Sequence, residues 1–405
     1  MSFPIASRIG SHLTKLLRLT TTSASFRSAF FAFALTRAIV FSTLVLAANA
    51  RHEGLGPAFG QPVEEVTIYV RQHGVFRWLG DAVTAADALW YMDVARNGYE
   101  REQFNVARQH NWAFFPLYPL IVRLAAKVTG EFSITAALLS NIFFFAALVV
   151  LHKTALLFSA DGSGADRTVF YLAAFPTSYF FSFPFTESLF LLLTVSTFFC
   201  ARRDMWWRAG VFGALASATR LAGVFLLLPL AVFYWQRYRT RVRLNFIGLC
   251  LMPTGLIVYM LYLRSITGNA LAFFDIQSAW GHRLTFFLQP LWDYLKSPLL
   301  LGIHWDFRIL NFAAVVLAFL CAAVLLKRRQ WALGLYALVS TIVPLSASFG
   351  LQSMARYVMV AFPICFVLGE AGRSRRLDQV ISVVFVVLLG LLTAMFVLRV
   401  AMAMA

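Results

Sequence analysis

The sequence predicts an all-α protein that crosses a membrane many times. Of its 405 residues, 60% are apolar and only 13% are charged, whereas soluble domains are about half apolar and a quarter charged. Apolar runs of about 17 to 25 residues recur from Phe30 to the last residues, and each is long enough to cross a hydrocarbon layer as a helix. Segments that alternate polar and apolar residues, as in a membrane β-barrel, are absent from the sequence.

Twelve apolar segments are the candidate membrane helices, which indicates about 11 to 13 crossings in a single domain over residues 1–405. The first of them is too long and too far from the start for a cleaved signal peptide, so we expect it to remain as an anchor. The segments lie at residues 30–48, 112–128, 132–151, 168–182, 185–200, 209–219, 221–235, 244–263, 309–326, 331–347, 356–369 and 379–399.

Basic residues gather before the first apolar run and in short links between later runs, and the net charge is +17. The positive-inside rule places these links in the cytoplasm and the segments 50–111 and 264–308 outside the membrane. We expect the first of these external loops to contain short amphipathic helices. Because the basic residues lie beside membrane helices, they favour contact with membrane lipids and argue against a nucleic-acid partner. The basic links are residues 8–27, 202–203, 236–243, 327–330 and 372–376.

Three of the apolar segments contain residues that interrupt a membrane helix. Prolines occur in 112–128 and 168–185, and Thr219-Arg220 interrupts 209–235. Non-helical backbone at membrane depth is tolerated where it lines a cavity or is covered by protein, so the three breaks predict one shared cavity. A full crossing by 112–128 would invert the sidedness of the later helices, so either this segment is re-entrant or one basic link violates the charge rule.

Two stretches resemble a known family. DALWYMDVARNGY at 87–99, followed by AFFPLYPLIVR at 113–123, is similar to the first-loop signature of the PIG-V-like mannosyltransferases. FPTSYFFSFPFTESLF at 175–190 is similar to a second block of that family, and SATRLAGVF at 217–225 and ARYVMVAFP at 355–363 are shorter matches.

The resemblance implies a glycosyltransferase fold of the GT-C superfamily and an inverting transfer of a hexose, mannose in the first instance. The donor would be a polyprenyl-phosphate sugar, and the acceptor a hydroxyl of a lipid, glycan or protein on the external face. Eukaryotic members add the second mannose of the GPI anchor. This sequence has short links and no N-x-S/T motif, so a bacterial inner membrane with a periplasmic site is favoured over the endoplasmic reticulum, where a eukaryotic member would lie.

Two acids are candidates for catalysis. Asp87 matches the first-loop acid of the family, which the resemblance implies to be the base that takes the acceptor's proton, with Asp93 in reserve. The alternative for Asp87 is an N-cap that stabilises its helix by about 1 kcal/mol. Glu187 would orient the acceptor or support the base; its alternative role is to complement the dipole at the start of a helix.

Two arginines are candidates for binding the donor phosphate. Arg220 interrupts an apolar stretch, where an unpaired guanidinium is costly and a phosphate partner relieves the cost. Arg356 lies at the external start of a predicted helix. The alternatives are a structural pair between an arginine and a glutamate, snorkelling of the side chain, or simple anchoring at the interface.

Substrate binding is predicted for Trp280, His282 and Arg283, which combine an aromatic platform with hydrogen-bond donors, and for four residues in or beside the first-loop signature. The sequence contains no H-x-x-H, D-x-D or Cys/His cluster, so no metal site and no cofactor is predicted, although a loosely held divalent cation is compatible with it. The four first-loop residues are Trp90, Tyr91, Tyr99 and His110.

Two rival functions fit parts of the sequence. A polytopic transporter or lipid flippase would also have many helices, broken segments and buried arginines, but many carriers contain internal repeats, and none is detectable in this sequence. Transfer of glucose or aminoarabinose from a polyprenyl phosphate would need the same base and the same cations.

Overall fold

The computed structural model of the protein describes residues 5–52, 74–159, 164–239, 241, 243–296, 308–347 and 351–400, and these contain helices and no strand. Parts of both predicted external loops, residues 53–73 and 297–307, lie outside the described residues. The α-helices in chain order are α1 (Ile5–His52), α2 (Val75–Val83), α3 (Asp87–Asn97), α4 (Leu117–Thr129), α5 (Phe132–Phe158), α6 (Ala165–Ala173), α7 (Glu187–Arg202), α8 (Trp206–Ser217), α9 (Leu227–Tyr238), α10 (Ile247–Cys250), α11 (Thr254–Thr267), α12 (Ala272–Asp275), α13 (Gln289–Lys296), α14 (Arg308–Lys327), α15 (Trp331–Ala347), α16 (Met354–Met359), α17 (Pro363–Ala371) and α18 (Arg375–Val397). Short 3-10 helices lie at Asn111–Ala113, Ser178–Phe181, Leu221–Leu226, Leu244–Phe246 and Ile276–Trp280.

Five stretches of helix in the described residues are long and apolar enough to cross a membrane, and a sixth is formed if α10 and α11, which meet at a bend of 42°, count as one span. The prediction of an all-α integral membrane protein is confirmed. The other predicted segments form helices of 17 residues or fewer in the described chain. The five stretches are Ser23–Ala50, Phe132–Phe158, Leu221–Tyr238, Arg308–Lys327 and Arg375–Val397.

The segment predicted at 112–128 forms only a 3-10 turn and the helix α4, which has 13 residues. A helix of that length covers about 20 Å, less than the roughly 30 Å of a hydrocarbon layer. α4 begins after Pro116, and the backbone N–H of Leu117 donates to the carbonyl of Ala218 at 3.1 Å. This length and this contact favour the re-entrant alternative over a full crossing.

Helix α7 lies at the centre of the protein. Most of its side chains are buried, and it packs against α5 on one side and α8 on the other. Its polar residues, such as Glu187, Thr194 and Thr197, are buried together with its apolar ones, so neighbouring parts of the protein cover most of its surface. On its far side α8 approaches α10 closely, because a Cβ atom at Gly210 would lie 2.0 Å from the carbonyl oxygen of Gly248. Any side chain at Gly210 would force these backbones apart.

A buried arginine on α1 organises the break between α6 and α7. Arg37 donates hydrogen bonds to the carbonyls of Ser178 at 2.9 Å and Ala173 at 3.0 Å, and to the hydroxyl of Ser182 at 2.7 Å. Its guanidinium lies 4.9 Å from the centre of the Phe144 ring. No described carboxylate pairs with it. Polar atoms of the backbone and of serines in the second motif therefore take the place of an acid.

The basic links that can be placed lie at the opposite end of α7 from its first residue. The side chain of Arg202, in the last turn of α7, donates to the carbonyl of Leu157 at 3.2 Å, and Gln330 donates to that of Phe158 at 3.5 Å. The links after α7 and α14 therefore meet at the end of α5. Glu187 begins α7, and the 16 residues of this helix separate it from Arg202 by about 24 Å.

Candidate functional site

A cavity of about 720 Å³ lies where several helices end or break. Two of the three predicted breaks, those in 112–128 and 209–235, contribute to its lining, and the third supplies residues packed directly beneath it. The lining segments are the start of α3, the turns at 113–115 and 219–222, the loop at 273–284, the end of α15 and the start of α16.

Asp87 is held at the edge of this cavity by the backbone and by an arginine. It is the first residue of α3, and Ala86 occupies the N-cap position with no capping side-chain hydrogen bond, so Asp87 is not the N-cap. Ala86 has φ 49°, a conformation that costs a non-glycine residue about 1–3 kcal/mol. The carboxylate accepts a hydrogen bond from Arg356 Nη1 at 2.7 Å through Oδ2, and the side chain is 41% exposed.

Glu187 links the two predicted arginines beneath the cavity. Its Oε1 accepts hydrogen bonds from Arg220 Nη1 at 2.7 Å and from Arg356 Nε. Glu187 is fully buried, and its Oε2 has no hydrogen-bond partner among the described residues. Each charged group therefore bonds to the next in the order Asp87, Arg356, Glu187 and Arg220. We call this arrangement the four-charge chain; its two acids balance its two arginines.

Aromatic rings cover the arginines of the four-charge chain. The Arg356 guanidinium lies 4.7 Å from the ring centre of Phe180 and 4.6 Å from that of Phe185. The Arg220 guanidinium lies 5.3 Å from the ring centre of Tyr357. Cation–π contacts of this kind stabilise a guanidinium that has lost its water. Both phenylalanines belong to the second motif, which gives that motif a structural reason for its aromatic residues.

Aromatic side chains of the first and second predicted loops form one wall of the cavity. Trp280 lies edge-on to Phe114 at 6.0 Å and to Trp90 at 5.7 Å, and Trp90 stacks on Phe114 at 5.7 Å without lining the cavity itself. Tyr91 also lines the cavity, with its hydroxyl 3.4 Å from Thr186 Oγ1. Burial raises the pKa of Tyr91 to about 12, so its hydroxyl stays protonated and can donate a hydrogen bond.

His282 and Arg283 line the cavity from the loop after Trp280. The ring Nδ1 of His282 is 3.0 Å from Gln277 Oε1. Burial lowers the pKa of His282, although the Asp87 carboxylate acts in the opposite direction, so the ring is neutral at pH 7. Arg283 is exposed and pairs with no acid among the described residues.

Besides Trp90, three sequence candidates do not line the cavity. The hydroxyl of Tyr99 donates to the carbonyl of Phe114 at 2.5 Å. His110 is fully buried in the first loop. Asp93, the reserve base, accepts a hydrogen bond from Asn111 Nδ2 at 2.8 Å. These side chains hold the first loop together around the cavity wall instead of facing its interior.

The structure also adds polar lining residues that the sequence did not single out, because they are ordinary amides and hydroxyls without a motif. Arg37 was missed as well, although the argument used for Arg220, a lone arginine in an apolar run, applies to it equally. The added amides and hydroxyls are Gln277, Ser340, Gln352 and Ser353, and the exposed acid Asp275, which accepts a hydrogen bond from Asn269 at 2.7 Å, also lines the cavity.

The fold and the site define an all-α integral membrane protein with a buried acid–arginine chain beneath an aromatic-walled cavity. Residues 28–242, more than half of the chain, match the family model described as mannosyltransferase (PIG-V). The chain therefore belongs to the PIG-V mannosyltransferase family, as the two motifs predicted.

Curated relatives of the chain include GPI alpha-1,6-mannosyltransferase 2 of two rodents. The protein of Cricetulus griseus is 28% identical over 165 residues, which are 37% of this chain and 30% of that protein. The protein of Rattus norvegicus is 25% identical over 274 residues, which are 59% of this chain and 52% of that protein. The chain thus spans about a third to a half of the length of these relatives.

Two solved structures of an oligosaccharyltransferase from Archaeoglobus fulgidus also resemble the chain. The apo form has a TM-score of 0.40 at 15% identity, and covers 90% of this chain and 55% of that chain. The complex with an inhibitory peptide and a dolichol-phosphate has a TM-score of 0.40 at 13% identity, with the same coverage. A structural similarity with so low a TM-score does not add support to the family assignment.

Proposed function

We propose that this protein transfers mannose, with inversion, from a polyprenyl-phosphate donor to a hydroxyl of a lipid-linked, glycan or protein acceptor. The observation that carries the proposal is the position of Asp87: its side chain is 41% exposed at a cavity that also contains an aromatic wall and Arg283, which pairs with no acid among the described residues. A base, a cation and a sugar-binding surface are the three elements that this transfer requires. Membership of the PIG-V family supports mannose as the sugar.

The reaction places one demand on Asp87. The acceptor oxygen forms a bond to the anomeric carbon while the bond from that carbon to the phosphate oxygen breaks. The hydroxyl proton passes to Asp87, and the phosphate leaves with the bonding electron pair. Arg356 holds Oδ2 of Asp87, which leaves Oδ1 free to accept the proton. A single displacement of this kind inverts the configuration of the sugar.

The charges in the cavity suggest which cation receives the phosphate. Arg356 is buried and bonds to both acids of the four-charge chain, so its charge is already balanced. Arg220 uses one N–H donor to bond Glu187, and a guanidinium has five N–H donors. Arg283 has no acid partner among the described residues. We therefore propose that Arg283 and the remaining donors of Arg220 bind the phosphate. Arg356 positions Asp87 instead.

Replacing Arg283 with glutamine is expected to raise the KM for the donor by roughly 10- to 100-fold, because a hydrogen bond to a charged group contributes about 1.5–3 kcal/mol. The kcat at saturating donor should fall as well, because the phosphate gains negative charge as it leaves and Arg283 stabilises that charge. Initial rates over a range of donor concentrations measure both quantities. The matched control is Arg101→Gln, which removes an exposed arginine of the first loop that does not line the cavity. An unchanged KM in the Arg283 variant would contradict the assignment.

We place the cavity on the external face, opposite the basic links, with residues 50–111 and 264–308 as external loops of one domain over 1–405. The separation of Glu187 and Arg202 by the length of α7 supports this orientation. The membrane that we propose is a bacterial inner membrane, with the cavity facing the periplasm.

The function is tested with purified protein in nanodiscs, radiolabelled polyprenyl-phosphate-mannose and a membrane lipid extract. Label is expected to pass to a lipid or glycan product, and GDP-mannose should not replace the lipid donor. Transfer from polyprenyl-phosphate-glucose alone would replace the sugar in the proposal. If no polyprenyl-phosphate hexose supports transfer to any component of the extract, the proposal is wrong.

A further inference from the structure

Glu100, Glu102 and His110 bring three ligand atoms together in the first loop, outside the cavity. One carboxylate oxygen from each glutamate and a ring nitrogen of the histidine lie within 4.8 Å of one another. His110 Nδ1 is hydrogen-bonded to Glu100 Oε2 and lies 3.2 Å from Glu102 Oε1. The histidine is fully buried, whereas both glutamates are partly exposed, so solvent reaches the cluster from one side.

A neighbouring amide fixes one nitrogen of His110 as a hydrogen-bond donor. Asn105 Oδ1 accepts a hydrogen bond from the backbone N–H of Ala107 at 3.3 Å, and Asn105 Nδ2 donates to the carbonyl of Gln103 at 3.3 Å, so the orientation of the amide is fixed. His110 Nε2 faces Asn105 Oδ1 at 3.2 Å and must therefore donate to it. The other ring nitrogen, Nδ1, faces the two glutamates.

Three potential ligand atoms therefore converge at one point. A proton on His110 Nδ1 can join the ring to the oxygens of Glu100 and Glu102, and a metal ion can take the place of that proton. Histidines that bind metals almost always donate their second N–H to a neighbouring acceptor, as His110 does to Asn105. This second-shell bond is independent of the two acids and points to a metal at Nδ1.

Arg108 balances part of the acidic charge from the exposed side. Its Nη2 lies 2.5 Å from Glu102 Oε1 and 3.3 Å from Glu100 Oε2, and its side chain is 58% exposed. An exposed arginine of this kind can turn into solvent at little cost, because surface ion pairs contribute about 0–1 kcal/mol. Arg108 is therefore a competitor for an ion at this site, and its removal distinguishes a metal site from a cluster of internal ion pairs.

We propose that Glu100, Glu102 and His110 bind a divalent transition-metal ion, with Zn²⁺ as the first choice. One imidazole nitrogen and two carboxylate oxygens suit Zn²⁺ better than Mg²⁺ or Ca²⁺, which prefer oxygen ligands alone. Zinc bonds of about 2.0–2.2 Å require ligand atoms roughly 3.3–3.6 Å apart. Glu102 is close to that spacing, at 3.2 Å from Nδ1; the Glu100 oxygen has to move back, and water completes the coordination.

The ion would fasten the first loop behind the cavity wall. His110 stacks on Trp112 at 4.0 Å, and Trp112 Nε1 donates to the carbonyl of Glu100 at 2.9 Å. Phe114, two residues further along, is part of the aromatic wall. The ion therefore has a structural role and takes no part in bond breaking. Its binding does not depend on the function proposed above.

The test uses full-length protein purified without a histidine tag, stripped with EDTA and dialysed. Zinc content by mass spectrometry after dialysis against ZnCl₂ is expected to be one ion per chain, and Zn²⁺ should raise the midpoint of thermal unfolding because it binds the folded state. The variant Glu102→Gln should bind Zn²⁺ at least roughly tenfold more weakly. MgCl₂ at the same concentration should produce neither effect.

Two further variants make the outcome decisive. Arg108→Gln removes the competitor, so it should bind Zn²⁺ more tightly than the wild type; a cluster of internal ion pairs predicts only a loss of stability. Glu131→Gln, an exposed acid outside the cluster, should bind like the wild type. No retained zinc in the wild type and in Arg108→Gln would overturn the proposal, and so would full zinc binding in a folded Glu102→Gln protein.

Discussion

Replacing Asp87 with asparagine is expected to lower kcat for mannosyl transfer by roughly 10²- to 10⁴-fold, the range found when a general base is removed. Asparagine has nearly the shape of aspartate, and its carbonyl oxygen can still accept the hydrogen bond from Arg356 that Oδ2 accepts now at 2.7 Å. It cannot take up the acceptor's proton. Removing one negative charge leaves the four-charge chain with a surplus positive charge, so the KM for the phosphate donor should not rise.

The matched control for this experiment is Asp93→Asn. It makes the same chemical change six residues along the same helix, at a carboxylate that bonds to Asn111. Steady-state rates with labelled donor should separate the two variants, with Asp93→Asn close to the wild type. Equal rates for the wild type and Asp87→Asn would remove Asp87 from the role of base. A loss confined to Asp93→Asn would transfer that role to Asp93.

Replacing Glu187 with glutamine is expected to destabilise the folded protein by about 3–5 kcal/mol, the cost of leaving a buried charge without its partner. Glu187 is fully buried, and its Oε1 bonds to both arginines. Glutamine offers a neutral oxygen, so the four-charge chain would retain two guanidiniums against Asp87 alone. Thermal unfolding in detergent, followed by the fluorescence of the tryptophans, measures the loss.

A second substitution tests whether charge balance is the cause. In the double variant Glu187→Gln, Arg220→Gln one acid and one arginine are removed together, and Asp87 still balances Arg356. Part of the lost stability should therefore return, giving an interaction energy between the two sites in a double-mutant cycle. If the two losses simply add, the contact between Glu187 and Arg220 contributes no net stability and the electrostatic explanation is wrong.

The hydropathy pattern predicted the long helices well, because a run of apolar residues longer than 18 leaves few alternatives in a membrane. It was less informative at the breaks. The predicted helix at 168–182 ends at Ala173 and continues as a turn and a 3-10 helix. Pro176 accounts for part of this change. The rest depends on Arg37, whose bonds to the turn come from a helix about 140 residues away in the chain.

The sequence predicted those residues of the candidate site that are unusual in their local surroundings or belong to a motif. Arg220 in an apolar run and the acid of the first-loop motif are visible in the sequence alone, and both lie at the cavity. Their partners are not visible: Asp87 and Arg356 are 269 positions apart. Tyr99 and His110 were predicted to bind substrate because they lie in or beside the first-loop motif, yet their side chains do not line the cavity. Neighbouring positions in a loop face different directions, and the sequence does not show which of them face the cavity. The acids that meet His110 were passed over because their spacing matches no metal motif.

The hydrogen bonds of Arg37 have a consequence for the way the molecule depends on α1. The described side chains of this helix contribute nothing to the cavity lining, yet the helix fixes the stretch of chain that leads directly into Glu187. The partners of Arg37 are backbone carbonyls and serine hydroxyls of that stretch, so the helix is attached to it without any carboxylate. Helix α1 is thereby a remote support of the cavity, and a shortened protein without it would retain every described lining side chain but lose the hydrogen bonds that hold the chain beneath them.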